Sequence, residues 1–264
     1  MYIADHHVHT NWSHDGKFTM QEILEAAINK KINKIVFTDH FELLKDIEKI
    51  NYNQYVIEYN KLKSKYSDKI EMGLGIEMGL LIDKLDKFDK IVKTHKFDYV
   101  LASTHRVNYI SALWEEYWDE ITQLEGYERY FLYMLESIKN FDNFDCYGHL
   151  DYIIRYGDFD KKGFKYKDLQ DVLDEILKLL ISKGKGIEIN TSFRNKGFKE
   201  FHPNSEIIKR YIEFGGEIIT FGTDSHSPTT LGNYAKDVYE LLNNFGVNYI
   251  CNFKNRKPEF IKTK

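Results

Sequence analysis

The chain has 264 residues, 42% of them hydrophobic and 30% charged, which places it among globular proteins and outside the disordered and fibrous classes. Its net charge of −4 at pH 7 argues against a general nucleic-acid binder, which needs a basic face. The two cysteines, Cys146 and Cys251, make neither a disulfide framework nor metal-type spacing, and no stretch has the form of a signal peptide or membrane span, so a soluble cytoplasmic protein with reduced thiols is expected.

With three prolines and no Gly/Ser-rich linker, residues 1–264 read as a single domain. The opening run Tyr2-Ile3-Ala4, continued by Asp5-His6-His7-Val8-His9-Thr10, predicts a strand whose alternation turns His7 and His9 to one face. Asp15 comes back towards them from the loop. Imidazoles with a nearby carboxylate form the donor set of a divalent transition metal. A helix follows, with Thr19 and Glu22 at capping-box spacing and Ile23, Leu24, Ala27 and Ile28 on one stripe. Ile35-Val36-Phe37-Thr38 is a short buried strand ending in Asp39-His40. A helix near 52–66 leads to an apolar run ending in Gly75-Ile76-Glu77. Another, near 83–95, precedes Tyr99-Val100-Leu101-Ala102 and its end, Ser103-Thr104-His105.

One long helical region is expected from about Glu115 to Phe141, its aromatics serving as core. The run through Cys146 and Tyr147 ends in Gly148-His149-Leu150-Asp151. After a helix near 166–182, Ile187-Glu188-Ile189 ends in Asn190-Thr191-Ser192-Phe193-Arg194. After a helix near 205–214, Ile218-Ile219-Thr220-Phe221 ends in Gly222-Thr223-Asp224-Ser225-His226. A last helix, near 234–244, leads to the run Tyr249 to Phe253 and a polar tail. Seven short apolar runs alternating with seven helical patterns imply βα units and a parallel sheet. Each run is followed at once by His, Asp, Glu or Arg. A closed barrel gathers strand C-termini on one face, whereas an open sheet spreads them along an edge, so the α/β fold expected is a TIM-like barrel of about seven strands.

The candidate ligands are His7, His9, Asp15, His40, Glu77, His105, His149, Asp224 and His226. Nine donors exceed the four or five that one ion takes, so two or three divalent metals are implied, with Zn, Mn and Fe all suited to a mixed His/carboxylate site. Glu77 and Asp224 have the two oxygens that bridging or charge-balancing requires. Asp5 shares the parity of His7 and is expected to hold a ligand imidazole from behind. His6 and His14 read as surface or structural residues, and His202, before Pro203, is open between facing substrate and having no role.

These motifs, from His7-Val8-His9-Thr10 through Thr38-Asp39-His40, Gly75-Ile76-Glu77, Ser103-Thr104-His105 and Gly148-His149-Leu150-Asp151 to Thr223-Asp224-Ser225-His226, resemble the polymerase-and-histidinol-phosphatase (PHP) family of metal-dependent phosphoesterases. The resemblance implies a distorted (β/α)7 barrel with a trinuclear site: His7, His9, Glu77 and Asp224 on one metal, Glu77, His105 and His149 on a second, and Asp15, His40 and His226 on a third. Asp at position 15 resembles the branch that hydrolyses histidinol phosphate, although His14 beside it leaves open which of the two reaches the metal.

A small phosphorylated substrate needs cationic donors beyond the metals. Arg155 and Arg194, after the fifth and sixth strands, are the candidates, because guanidinium offers a planar fork to phosphate oxygens. In the branch resembled, arginines at these places clamp the phosphoryl group. Arg106, of opposite strand parity to His105, carries less weight. The chemistry expected is in-line attack on phosphorus by hydroxide from metal-activated water, with Glu77 and Asp224 essential for holding the metals, and the pathway implied is histidine biosynthesis. The alternatives are a related phosphoesterase acting on nucleotides or phosphotyrosine, a metal-dependent amidohydrolase, and a non-catalytic metal-binding module.

Overall fold

The computed structural model describes residues 1–44 and 50–263. The chain forms β1 (Ala4–Val8), α1 (Met20–Asn29), β2 (Lys34–Phe37), a short β3 (His40–Glu42), α2 (Tyr52–Tyr66) and the long β4 (Glu71–Gly79). Next come α3 (Leu85–Thr94), β5 (Tyr99–Ser103), a small hairpin of β6 (Arg106–Val107) and β7 (Ile110–Ser111), α4 (Gln123–Asn140), β8 (Cys146–Tyr147), α5 (Gln170–Ser182) and β9 (Gly186–Asn190). The last elements are α6 (Ser192–Asn195), α7 (Ser205–Glu213), β10 (Ile219–Gly222), α8 (Ala235–Asn244), β11 (Tyr249–Lys254) and β12 (Lys257–Lys262).

Parallel hydrogen bonding runs β1-β2-β4-β5-β8-β9-β10, with β3 beside the outer half of β4. These are the seven strands that the sequence pattern predicts. Between β1 and β10 the barrel is nearly closed by a parallel bridge of Val8 and Ser225, in which the His9 N–H donates to the Ser225 carbonyl at 2.9 Å. Asp5 holds this seam. Its carboxylate accepts from the Thr223 N–H at 3.0 Å, the Thr223 hydroxyl at 2.6 Å and the Gly232 N–H at 3.1 Å. The expectation that Asp5 supports a ligand imidazole is therefore corrected: its oxygens are taken up by Thr223 and Gly232, in the loop beyond β10.

Helix boundaries follow local chemistry. Thr19 and Thr122 each cap a helix in a full capping box, with Glu22 and Glu125 answering three residues later. The cap at Thr122 explains why the region from Glu115 to Phe141 is not one helix: Glu115–Tyr117 is a separate 3-10 turn, and α4 starts only after the threonine. Inward stripes such as Met20, Ile23, Leu24 and Ala27 bury the helices against the barrel, each large apolar side chain contributing about 1.5–3 kcal/mol.

The polar tail is ordered. Asn255 and Arg256, both with positive φ (50° and 65°), turn β11 back into β12 as an antiparallel hairpin. Cys251 and Phe253 pack with Val36, Tyr99, Leu101 and Cys146, and the Phe253 carbonyl accepts from Lys34 at 2.9 Å, so the hairpin plugs the end of the barrel where the strands begin. The site is confined to the opposite end. No helix among the described residues is long and apolar enough to cross a membrane.

Candidate metal centre

All nine candidate ligands meet towards the C-terminal ends of the strands, around the Glu77 carboxylate near the end of β4. Its Oε2 lies 3.2 Å from His7 Nε2, 3.5 Å from His9 Nε2 and 2.8 Å from His40 Nδ1. Its Oε1 lies 3.1 Å from His105 Nε2 and 3.0 Å from His149 Nε2. Each oxygen thus faces a different set of imidazoles, the arrangement a bridging carboxylate needs. Asp224 Oδ1 is 3.3 Å from His9 Nε2 and 3.6 Å from His7 Nε2. Asp15 stands at the outer edge, 3.2 Å from His226 Nε2 and 3.7 Å from His40 Nε2. The exposed His14 meets His40 only ring to ring, with centroids 5.3 Å apart. His149 and Asp224 have positive φ (21° and 53°), a backbone conformation that is uncommon for non-glycine residues.

The imidazoles are aimed by groups behind them. Glu188, on β9, has Oε1 at 2.6 Å from His7 Nδ1, while its Oε2 accepts from the His149 N–H at 3.0 Å. Glu42, on β3, has Oε1 at 2.6 Å from His105 Nδ1. The Ser13 hydroxyl donates to Asp39 at 2.7 Å, accepts from the His40 N–H at 3.0 Å and lies 3.0 Å from His9 Nδ1. A hydroxyl whose one proton is committed can only accept from His9, which leaves the His9 Nε2 lone pair facing the centre. A carboxylate likewise fixes the proton of His7 and His105 on Nδ1. Room for these supports comes from two glycines: a Cβ on Gly222 would stand 2.1 Å from Glu188 Oε1, and one on Gly79 would stand 2.1 Å from Glu42 Oε1.

Charge is concentrated here. Burial opposes ionisation of Glu77, yet His7, His105 and His40 hold its carboxyl well below the usual range. Asp224 is held low in the same way, against burial, by His7, His9 and His226. Against the same desolvation, Glu77 and Glu42 push His105 up to about 9. His9 goes the other way, lowered by burial and by its neighbours His226 and His40. The carboxylates call for positive charge, and a divalent cation supplies it while leaving the imidazoles neutral.

The residues fit such a cation. His7 Nε2, His9 Nε2, His40 Nδ1, Glu77 Oε2 and His226 Nε2 are buried with no hydrogen-bond partner of sound geometry among the described residues, a costly arrangement for polar atoms unless something else satisfies them. Four overlapping triads have ligand atoms within 4.8 Å of one another: His7-Glu77-His149, His7-His9-Asp224, His9-His40-His226 and His40-Glu42-His105. Such overlap suits adjacent ions that share ligands.

The two candidate arginines part company. Arg155 lies at the mouth over the Tyr152 ring, with Nη2 hydrogen-bonded to the Ser192 hydroxyl and 3.9 Å from Asp224 Oδ2. Arg194 lies 5.0 Å from the centroids of both Phe201 and Tyr234, and its Nη2 is 3.4 Å from Asp237 Oδ2. It is not among the groups gathered round Glu77. His202 faces no solvent: it is fully buried between Asp151 and Arg155, and burial lowers it to about 4 against the pull of Asp151, with Arg155 adding to the fall. Glu188 and Glu42 are the neighbours of the candidate centre that sequence reasoning missed, and His202, left open there, is buried behind Arg155. A glutamate between two isoleucines in a barrel strand, Ile187-Glu188-Ile189, was a signal available for the first, since a charge buried there needs a partner.

The PHP domain model matches residues 5–192. The histidinol-phosphatase of Lactococcus lactis is 32% identical, over 86% of this chain and 85% of that protein. A probable histidinol-phosphatase of Clostridium acetobutylicum is 33% identical, over 96% of this chain and 95% of its own. Among solved structures, histidinol phosphate phosphatase from Lactococcus lactis, complexed with zinc, L-histidinol and phosphate, matches with a TM-score of 0.91 at 29% identity, covering 97% of this chain and 98% of that one.

Proposed function

The chain belongs to the PHP domain family, and from that premise we propose that it is a metal-dependent phosphomonoesterase that hydrolyses L-histidinol phosphate to L-histidinol and phosphate. The observation that carries the proposal is the crowding of six imidazoles and three carboxylates, counting Glu42, into overlapping metal-binding triads beside Arg155, in a fold matched over nearly its whole length by a phosphatase that holds zinc, histidinol and phosphate.

Two or three divalent metals, of the Zn, Mn or Fe kind, would be held by His7, His9, Glu77 and Asp224, by Glu77, His105 and His149, and by Asp15, His40 and His226. Bound there, they would supply Lewis acidity for the phosphoryl oxygens and hydroxide at neutral pH from water of lowered pKa. The chain's own groups do the rest. Glu77 and Asp224 balance cationic charge and fix the spacing of the imidazoles. Glu188, Glu42 and Ser13 hold His7, His105 and His9 in the tautomer that presents Nε2. Arg155 offers its fork to the phosphoryl group, where the equatorial oxygens gain charge as the ester bond breaks. Arg194 is proposed as a second donor that exchanges its contact with Asp237 for the substrate.

Phosphate release by the zinc- and manganese-loaded protein from L-histidinol phosphate, nucleoside monophosphates and a phosphotyrosine peptide tests the proposal. Preference for histidinol phosphate of about 10²-fold or more in kcat/KM is expected, since a site built to pair with polar groups rejects ligands lacking them. Higher kcat/KM on a nucleotide or the phosphopeptide would make this a PHP phosphoesterase of another specificity, and turnover of amides alone would overturn the reaction class.

A further inference from the structure

Arg155 does not stand alone. Its Nε donates to His202 Nε2 at 2.9 Å, and His202 Nδ1 lies 2.5 Å from Asp151 Oδ1. The other Asp151 oxygen accepts from the Asn204 N–H at 2.9 Å. All of this is buried: Asp151 and His202 are both 0% exposed. His202 is also pinned through its backbone, exchanging hydrogen bonds with Asn190 at the end of β9 at 2.7 and 3.0 Å, and the Phe193 ring covers it at 4.3 Å. Neither Asp151 nor His202 touches the groups around Glu77, so the proposed reaction gives them no part.

We infer that Asp151 and His202 are positioning residues that fix the aim of the Arg155 fork at the mouth of the barrel. The inference rests on the reading of Arg155 as a phosphoryl donor. The logic lies in proton placement. A carboxylate can only accept, so it keeps the His202 proton on Nδ1 and leaves Nε2 as a lone pair. That lone pair takes the Arg155 Nε–H, which sets the plane of the guanidinium. Its Nη2 then meets the Ser192 hydroxyl, which lies 3.2 Å from Asp224 Oδ2, so the fork is registered against the metal centre. A long arginine held at one atom by a buried, backbone-locked imidazole has its rotamers settled before substrate arrives.

Asp151→Asn is the sharp test because the structure dictates how the amide must lie. The Asn204 N–H requires an oxygen, so the new NH2 faces His202 Nδ1. His202 must then carry its proton on Nε2, and two donors confront each other at Arg155 Nε. On the zinc-loaded protein we expect kcat/KM for L-histidinol phosphate to fall by about 10- to 100-fold, the scale of a small misplacement of a reacting contact, with metal content unchanged. Nitrogen-15 spectra of labelled histidine should show the proton of His202 move from Nδ1 to Nε2. In an Arg155→Ala background, Asp151→Asn should cost no more than about twofold further, because the group it positions is gone. His202→Gln, whose amide oxygen can accept from Arg155, should retain more activity than His202→Leu.

Three results overturn the inference: Asp151→Asn near wild type while Arg155→Ala is crippled, losses that multiply in the double variant, or loss of metal from Asp151→Asn, which would mark a structural part in the centre. Arg155→Ala at wild-type kcat/KM would instead strike the parent reading of Arg155, and the inference with it.

Discussion

Replacing Glu188 with glutamine removes one charge and no volume, and its consequence follows from three contacts. Oε2 of Glu188 faces two donors, the His149 N–H at 3.0 Å and the Asn190 side-chain amide at 3.1 Å. The glutamine carbonyl must therefore take that side, and its NH2 must face His7 Nδ1, where the carboxylate stood at 2.6 Å. His7 can answer only with a lone pair, which moves its proton to Nε2, the atom aimed at Glu77 and Asp224. A protonated nitrogen cannot bind a cation. The loss is one charge-assisted hydrogen bond and one ligand orientation, about 1.4–2.7 kcal/mol, which corresponds to about 10- to 100-fold in metal affinity. The assay is competition with a chelator of known affinity, followed by kcat/KM at saturating metal. Affinity unchanged from wild type would refute the argument, since it would show that His7 does not depend on Glu188 for its tautomer.

Further predictions concern the reacting groups. Glu77→Gln and Asp224→Asn should each remove nearly all activity and lower bound metal in elemental analysis; normal metal with near wild-type kcat would mean that the carboxylate has another part. Turnover in oxygen-18 water should leave one labelled oxygen in the phosphate, and trapping of phosphorylated protein on the pathway would instead require a side-chain nucleophile. Arg155→Ala should cost about 10²- to 10³-fold in kcat/KM with metal content unchanged, and Arg155→Lys should recover only part, keeping charge without the fork. Arg194→Ala tests the second donor: a loss as large as that of Arg155→Ala is expected if the arginine leaves Asp237 for substrate, and a change within about threefold, well under 1 kcal/mol, would leave it a surface ion pair.

The gathering of the candidate ligands was legible because they sit at a place the sequence marks. Each follows an apolar run of strand length, and period two along β1 puts His7 and His9 on one side. Glu188 and Glu42 were not, because their contacts depend on which strands become neighbours: His7 and Glu188 are 181 residues apart, and only the near closure of β1 on β10 and β9 brings them to 2.6 Å. Asp5 misled for the same reason. Its parity was right for a support, but the seam with Thr223 claimed its oxygens first. The hairpin of β11 and β12 was hidden by its turn, where Asn255-Arg256 stands in place of the usual Asn-Gly, and by the weak apolar alternation of Lys257–Lys262. The split of the region after Glu115 was readable in principle, from Thr122 and Glu125 at capping-box spacing.

One multinuclear centre, gathered around Glu77, is proposed to do the chemistry. Its most direct test is a titration of metal-stripped protein with zinc or manganese, following bound metal per chain and hydrolysis of L-histidinol phosphate in the same samples. Activity should be absent without metal and reach its plateau only when two to three equivalents are bound. Full activity with one equivalent, or activity that survives complete removal of metal, would contradict the proposal.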